Sequence, residues 1–446
     1  MSQLPRYESY KDSGVQWLGE IPSHWAIVRL DQGCEIVRGN TGFSKADLLE
    51  EGQYVALQYG KTYKVDEINN TFSSYVNEEF YKLSQIAMYG DTVLISTSET
   101  IEDLGHSCFY ARQDIGLIGG EQFLLKVNQE EQLGKYLYYL SKAFSGYLRK
   151  YATGTKVYRF NTDHLKKIYI PQIPFNEQKV IADFLDKRLA QVDALIAKQE
   201  TLLEKLAEQR VALISHAVTK GLNPDVEMKE SGISWFKQIP KSWDVKQLKF
   251  VITKIQTGST PPSAVPEYYS NDDIVWYGPA DFTDENYILN ESVKKISALA
   301  LEDKVVKPMP KGSIMMIGIG ATLGKVAITN VDCTTNQQIN SLIPIEDVNA
   351  KYLMYQLNSL RDIVKLLSSA STLGIINQEK TKCLKIIVPS LNDQNEIVEF
   401  LDKELNEISA VKKSVEQTIN KLKEYRSTLI TQVVTGKIDV RNLKVN

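Results

Sequence analysis

The chain has no run of about 18 apolar residues, no C-x-x-C pair, no intact glycine-rich nucleotide loop and almost no net charge over its 446 residues. The first absence excludes a membrane span. With no basic-then-apolar start, no signal peptide is expected either, and the cytoplasm is the expected compartment. The four cysteines, Cys34, Cys108, Cys333 and Cys383, are scattered and lie near no histidine spacing that suits zinc, so they read as reduced thiols and no metal site is expected. The four histidines, His24, His106, His164 and His216, form no cluster and read as solvated or incidentally buried. A net charge of −3 predicts no nucleic-acid partner by itself; a DNA-binding face would be a local basic patch set against acidic surface elsewhere.

Catalytic motifs fail on inspection. GIGATLGKV at 318–326 resembles a phosphate loop, but that pattern requires glycine at Ile319 and a hydroxyl at Val326. TPPS at 260–263 lacks the acid or amide and the aromatic ring of an amino-methyltransferase motif. Asp225, Glu227 and Lys229 have the wrong spacing for a nuclease triad. No catalytic constellation is present, and no enzyme is expected.

What the chain does have is a repeat. SGVQWLGEIPSHW at 13–25 returns as SGISWFKQIPKSW at 231–243, keeping Ser, Gly, both Trp, Ile and Pro. The echo continues with QYGKTY against WYGPAD, GDTVLIST from Gly90 against KGSIMMIG from Lys311, and GKYLYYLSK against AKYLMYQLN. The offset drifts between 216 and 222, as expected when loops diverge on a kept scaffold. Each copy reaches a β-like run ending in proline, KKIYIP or LKIIVP, followed by a segment of about 45 residues without proline or glycine. As a helix it would span roughly 65 Å, with Asn176 or Asn392 as the expected N-cap.

Each segment carries one apolar seam at alternating steps of four and three, the coiled-coil period. In the first the seam is Leu185, Leu189, Val192, Ile196, Leu203, Leu206, Leu213 and Ala217, with Gln199 and Arg210 interrupting it. In the second it is Leu401, Leu405, Ile408, Val415, Ile419, Leu422 and Leu429, interrupted by Lys412 and Arg426. The expected class is α+β: two similar globular domains, 1–172 and 221–390, joined by long helices at 173–220 and 391–436. If the helices pair as an antiparallel coiled coil, the molecule is a pseudo-twofold dumbbell. The C-terminal tail 437–446 then packs near the N-terminus.

The globules also present polar, glycine-punctuated turns whose side chains suit base and phosphate contacts. In copy one the candidates are Arg38, Asn40, Thr41, Ser44, Lys45, Gln58, Lys61, Lys64, Lys156, Tyr158 and Arg159. In copy two they are Gln256, Thr257, Ser259, Thr260, Tyr277, Thr322, Lys325, Gln337 and Gln338. Arg and Lys can bridge guanine acceptors, and Asn and Gln can pair with adenine.

The chain resembles the specificity subunits of type I restriction-modification systems. The resemblance is carried by the duplicated Trp-x-x-x-Ile-Pro-x-x-Trp openings, the Gly-Ser/Thr turn after each, and the turns before Asn161 and Asn377. It is carried also by the helix entries Gln178, Ile181, Phe184, Leu185, Asp186 and Gln394, Ile397, Phe400, Leu401, Asp402. The resemblance implies a non-catalytic DNA-recognition subunit that reads a bipartite, asymmetric site on double-stranded DNA. It implies two methyltransferase subunits docked on the helices and restriction or motor subunits beyond them. S-adenosylmethionine, ATP and magnesium would belong to those partners, and none to this chain. The alternative reading is a coiled-coil interaction scaffold whose globules bind protein.

Overall fold

The computed structural model describes residues 5–128, 132–270, 274–368 and 374–443. The first four residues and the last three of the expected tail lie outside them. The chain forms two compact units, one of residues 1–199 with 417–446 and one of residues 200–416. The division falls inside both long helices, so each unit is a globule carrying half of each helix.

In the first unit a five-stranded sheet runs in the order Glu35–Arg38, Gln122–Lys126, Thr92–Ile95, Ser107–Tyr110, Glu67–Ile68. Alternate residues face opposite sides, as strand geometry requires. Val93, Cys108, Tyr110 and Leu124 pack with Val55 and Leu57 of a four-stranded sheet. Leu94, Phe109, Phe123 and Leu125 instead meet helix α1, Gly134–Leu148, which buries Tyr136, Leu137, Leu140, Phe144 and Leu148 at helical spacing.

The second unit repeats the plan. Its five-stranded sheet runs Ile252–Thr257, Ile339–Pro344, Ile314–Ile317, Val326–Thr329, Ile288–Leu289, the same topology in the same chain order. Met315, Ile317 and Ala327 face Tyr277 on one side, while Ile314, Met316 and Ile328 face the helical layer on the other. The long helices are α2, Phe175–Lys220, and α4, Leu391–Val434; α3, Ala350–Ser359, is the second unit's counterpart of α1.

Asn176 and Asn392 are not the N-caps. Both helices begin one residue earlier, so each asparagine lies within the first turn, and Asn392 bonds Glu396 one turn on. Ser390 caps α4, its hydroxyl accepting from Asp393 N at 3.2 Å. At α2 the Pro174 carbonyl accepts the amides of Glu177 and Gln178.

Of the seam residues, Leu185, Leu189, Val192, Leu206, Leu401, Leu405, Val415, Ile419 and Leu429 are buried, while Ile196, Leu203, Leu213, Ile408 and Leu422 are partly shielded. Most of the residues between them are exposed. Within the first unit the helix halves run antiparallel: Asp193 pairs with Arg426 at 3.0 Å, while Glu177 at the start of α2 lies by the tail that follows α4. Within the second, Arg210 and Lys412 meet at Glu285, while Val218 and Asp393 lie together beside the Tyr352 and Trp243 end.

The basic interruptions of the seam have a purpose in the packing. Arg426 also pairs with Asp66 at 3.0 Å, which in turn pairs with Lys142 of α1. Arg210 stacks over Tyr287 at 4.8 Å and donates to the Glu285 carbonyl at 2.7 Å. Each arginine thus ties a globule to the helix behind it.

The repeated opening phrase packs at the helix ends. Trp25 donates to Glu177 Oε1 at 3.2 Å, and Trp243 donates to Asp393 Oδ2 at 3.2 Å. Past the far end of the opposing helix sits a left-handed glycine, Gly436 (φ 72°) against Trp25 and Gly221 (φ 77°) against Trp243, where a Cβ would crowd the indole. Two other repeated motifs are explained in the same way. Gln178 and Gln394 each accept a backbone amide, of Leu133 and Asn349, at 2.8 Å, fixing the helix start against the entry to α1 or α3. Asp186 and Asp402 accept Tyr139 and Tyr355 hydroxyls.

Glu177 is the central acceptor of the first unit's closure. It is only 7% exposed and accepts Tyr7 at 2.7 Å and Trp25, with His24 3.0 Å away. The tail joins there: Asp439 N donates to the Pro5 carbonyl and Lys437 to that of Leu18. Glu177→Ala orphans two buried donors, so it should cost about 2–3 kcal/mol and lower the thermal midpoint by roughly 5–10 °C. Scanning calorimetry of wild type, Glu177→Ala and Glu177→Gln checks this. An Ala variant melting with wild type would remove the carboxylate from this role.

Candidate nucleic-acid interface

The strand registers place the predicted loops at one end of each five-stranded sheet. In the first unit Arg38 pairs with Phe123 and Ile95 with Gln122, so strand ends bring together the turns after Arg38, after Ile95 and before Gln122. The parallel pair Leu57 and Ile118 ends there too, adding Gln58 and the turn Tyr59–Thr62. Thr62 donates to Gln122 Oε1 at 2.9 Å, while Gln122 donates to the Leu57 carbonyl at 2.7 Å, locking the turn to the sheet. The short ladder Thr97–Ser98 with Tyr158–Arg159 closes the rim.

The second unit builds the same rim. Thr257 pairs with Asn340, Ile317 with Ile339, and Trp276–Tyr277 run parallel to Thr334–Thr335. The bridge Ile319 to Ile375 replaces the short ladder. Between these loops lies a cavity of about 310 Å³ lined by Thr257, Gly318, Gln337, Gln338, Asn340, Asn377 and Gln378, among others.

Both rims depend on a glycine where two backbones touch. A Cβ on Gly39 would lie 1.8 Å from the Gly119 carbonyl oxygen, and one on Gly258 would lie 2.2 Å from that of Thr335. Gly39 and Gly258 follow their strands at equivalent positions, donating to the Gln122 and Ile339 carbonyls. Close approach, not a left-handed backbone, demands glycine here.

The two rims differ in chemistry. The first exposes Arg38, Lys45, Lys61, Lys82, Lys156 and Arg159. Acid sits among them: Glu121, held at φ 62°, accepts the Thr97 hydroxyl and lies 3.8 Å from Arg159. Burial, together with Glu99, Asp103 and Glu121, pushes the Tyr59 phenol up. The second rim is rich in uncharged amides and hydroxyls. Gln378 donates to Thr257 at 2.9 Å, Thr257 to Asn340 at 2.7 Å, and Asn336 to Gln338 at 3.0 Å.

Several predicted residues fall elsewhere. Tyr277 is fully buried in the inter-sheet core, where burial pushes its phenol up to about 12, so it presents no face to a duplex. Thr41 is buried, donating to the Ile118 carbonyl at 2.7 Å. Lys325 turns away to pair with Asp284 at 3.0 Å, and Arg361 shares that carboxylate. Thr322 lies in the same hairpin, whose Gly324 packs on Arg361. Ser259 donates to the Val305 carbonyl and Gln256 to Met309 sulphur, so both serve the rim's internal structure. Ser44 caps the turn Lys45–Asp47, and Lys64 sits on the exposed exit of the Tyr59 turn. Asn40, Gln58, Lys61, Lys156, Tyr158, Arg159, Thr257, Thr260, Gln337 and Gln338 gather at the two rims.

Sequence reasoning missed Gln378 and also Lys82, which donates to the Asn40 carbonyl at 2.6 Å. Only the asparagine after the rim loop carried a signal, since Asn161 and Asn377 cap short helices through His164 N and Lys380 N. Among the described residues no group of three or more metal-ligating side chains gathers, and no helix is long and apolar enough to cross a membrane.

Comparison with known proteins accounts for a rim built twice. The type I restriction modification DNA specificity domain matches the chain at residues 22–205 and again at 240–421. The chain belongs to this family. Similar members include the type I restriction enzyme MjaVIII specificity subunit of Methanocaldococcus jannaschii, 24% identical over 438 residues and 95% of each chain. The MjaIX specificity subunit of the same organism is 32% identical over 180 residues, so the chain spans 40% of that relative's length. The EcoR124I/EcoR124II specificity subunit of Escherichia coli is 28% identical over 202 residues, 42% of this chain and 48% of that one.

The fold agrees. A structure from work on complex assembly and conformational transition of the type I R-M system superposes with a TM-score of 0.70 at 18% identity, covering 93% of this chain and 98% of that one. The HsdS subunit of Thermoanaerobacter tengcongensis superposes at 0.53, also at 18% identity, covering 94% and 98%. As a member of the specificity family, this chain is the DNA sequence-specificity subunit of a type I restriction-modification system, a recognition chain and not the one that does the chemistry.

Proposed function

We propose that each unit reads one half of a bipartite DNA site through the rim at the end of its five-stranded sheet. The two halves differ in sequence because the rims differ in side chains. The observation that carries this reading is one topology, built twice, presenting cationic groups around Arg38 and Arg159 in one copy and amides around Gln337 and Gln378 in the other. Loops set on a rigid sheet end are where recognition can vary without loss of the core.

The long helices then act as a spacer between the two readers and as the surface on which two methyltransferase subunits dock, with restriction or motor subunits joining them. S-adenosylmethionine, ATP and magnesium belong to those partners. The protein-binding scaffold is the competing reading.

Exchanging residues 1–170 for the first recognition domain of another family member separates the two. The hybrid, assembled with its methyltransferase, should methylate a site in which one half-site is exchanged and the other kept, read by methylation-sensitive sequencing. A hybrid that recognises the original sequence unchanged would defeat the proposal.

A further inference from the structure

The rim loop before the second strand of each five-stranded sheet is Gly119-Gly120-Glu121 in the first unit and Asn336-Gln337-Gln338 in the second. Equivalence is fixed by register, since Gln122 pairs with Ile95 where Ile339 pairs with Ile317. Gly120 therefore stands where the second unit has Gln337.

Gln337 is exposed and lines the cavity between the second unit's rim loops. Its Oε1 accepts the Thr260 hydroxyl. With Oε1 engaged by that hydroxyl, the carboxamide is held at one end and keeps one Oε1 lone pair and two Nε2 hydrogens with which to bond a ligand. An adenine edge offers the complement in the major groove, an N6 donor beside an N7 acceptor, so a held carboxamide suits it bidentately. Thr41, the first unit's equivalent of Thr260, has no such amide to hold and donates to the Ile118 carbonyl instead.

Resting on the reading of the rims as DNA-contacting surfaces, we infer that Gln337 is a specificity-determining residue that reads one adenine in the half-site of the second unit, with Thr260 as its positioning residue. The first unit has no counterpart.

The test uses the full chain assembled with its methyltransferase subunits on a randomised duplex library, scored by sequencing of methylated products. Gln337→Ala should lower the preference for adenine at a single position of one half-site by about 10- to 100-fold, leaving the other half-site intact. Gln337→Arg should move that position toward guanine. Thr260→Val, which frees the carboxamide to turn, should weaken the same position and no other. Because Gln337 is exposed, these variants should melt with wild type; if Gln337→Ala does not, Gln337→Met keeps the side-chain length and decides the matter. Full adenine preference retained at every position, or loss spread over both half-sites, overturns the inference. Failure of the underlying reading looks different: the wild-type complex itself would then methylate without dependence on two half-sites.

Discussion

Deleting one heptad from the middle of each long helix should shorten the unread spacer between the half-sites by about three base pairs and leave both half-site sequences unchanged. Seven residues span about 10 Å of helix, and duplex DNA rises about 3.4 Å per base pair. A heptad is the unit to remove because it preserves the 3.5-residue seam, so Leu185, Leu189, Leu401, Leu405 and their fellows keep their shielded faces. Removing it from one helix alone should break the pairing and lower the thermal midpoint. Sites mapped by methylation sequencing for the double deletion give the answer; an unchanged spacer would eliminate the ruler role proposed for α2 and α4.

The second large effect is expected from a single methyl group. Gly39→Ala drives a Cβ into the Gly119 carbonyl, and Gly258→Ala drives one into those of Thr335 and Asn336. Neither neighbour is a flexible side chain, so backbone must move. The cost should reach about 3 kcal/mol or more, and sequence-specific methylation should fall with it as the rim loops separate. Gly120→Ala is the control in the same loop: a Cβ there would meet nothing within 4 Å, and the variant should melt with wild type. Gly39→Ala with a native midpoint and native site selection would show that the rim does not depend on this close approach.

How much of the molecule is legible in its sequence varies with the kind of information each feature requires. The Trp17/Trp25 and Trp235/Trp243 phrases announced a duplication because each copy seats its second tryptophan against an acid at the start of a long helix, a contact that keeps the residue type. The helix seams were legible because 3.5-residue spacing is a one-dimensional pattern. The N-caps were misplaced because Ser390 and Pro174 complete the first turn through backbone and side-chain groups at the very edge of each proline-free segment.

The rim was only half legible. Polar loops announce themselves by composition, but whether a polar side chain faces a ligand or its own fold does not. Tyr277 and Thr41 sat in polar turns by sequence, but Tyr277 ends a strand and packs into the inter-sheet core, and Thr41 is tied down to the Ile118 carbonyl. Lys325 looked free until Asp284, distant in sequence, paired with it.

By itself the amino-acid sequence determined that the chain is two copies of one plan, each followed by a long heptad helix, since repetition and periodicity are properties of order along the chain. Only the tertiary structure decided which loops share a rim, why Gly39 and Gly258 must be glycine, and that Gln337 is held by Thr260 where the other copy has Gly120. Those facts depend on strand register, which brings residues 77 positions apart into contact in both copies, and no local pattern encodes such a distance.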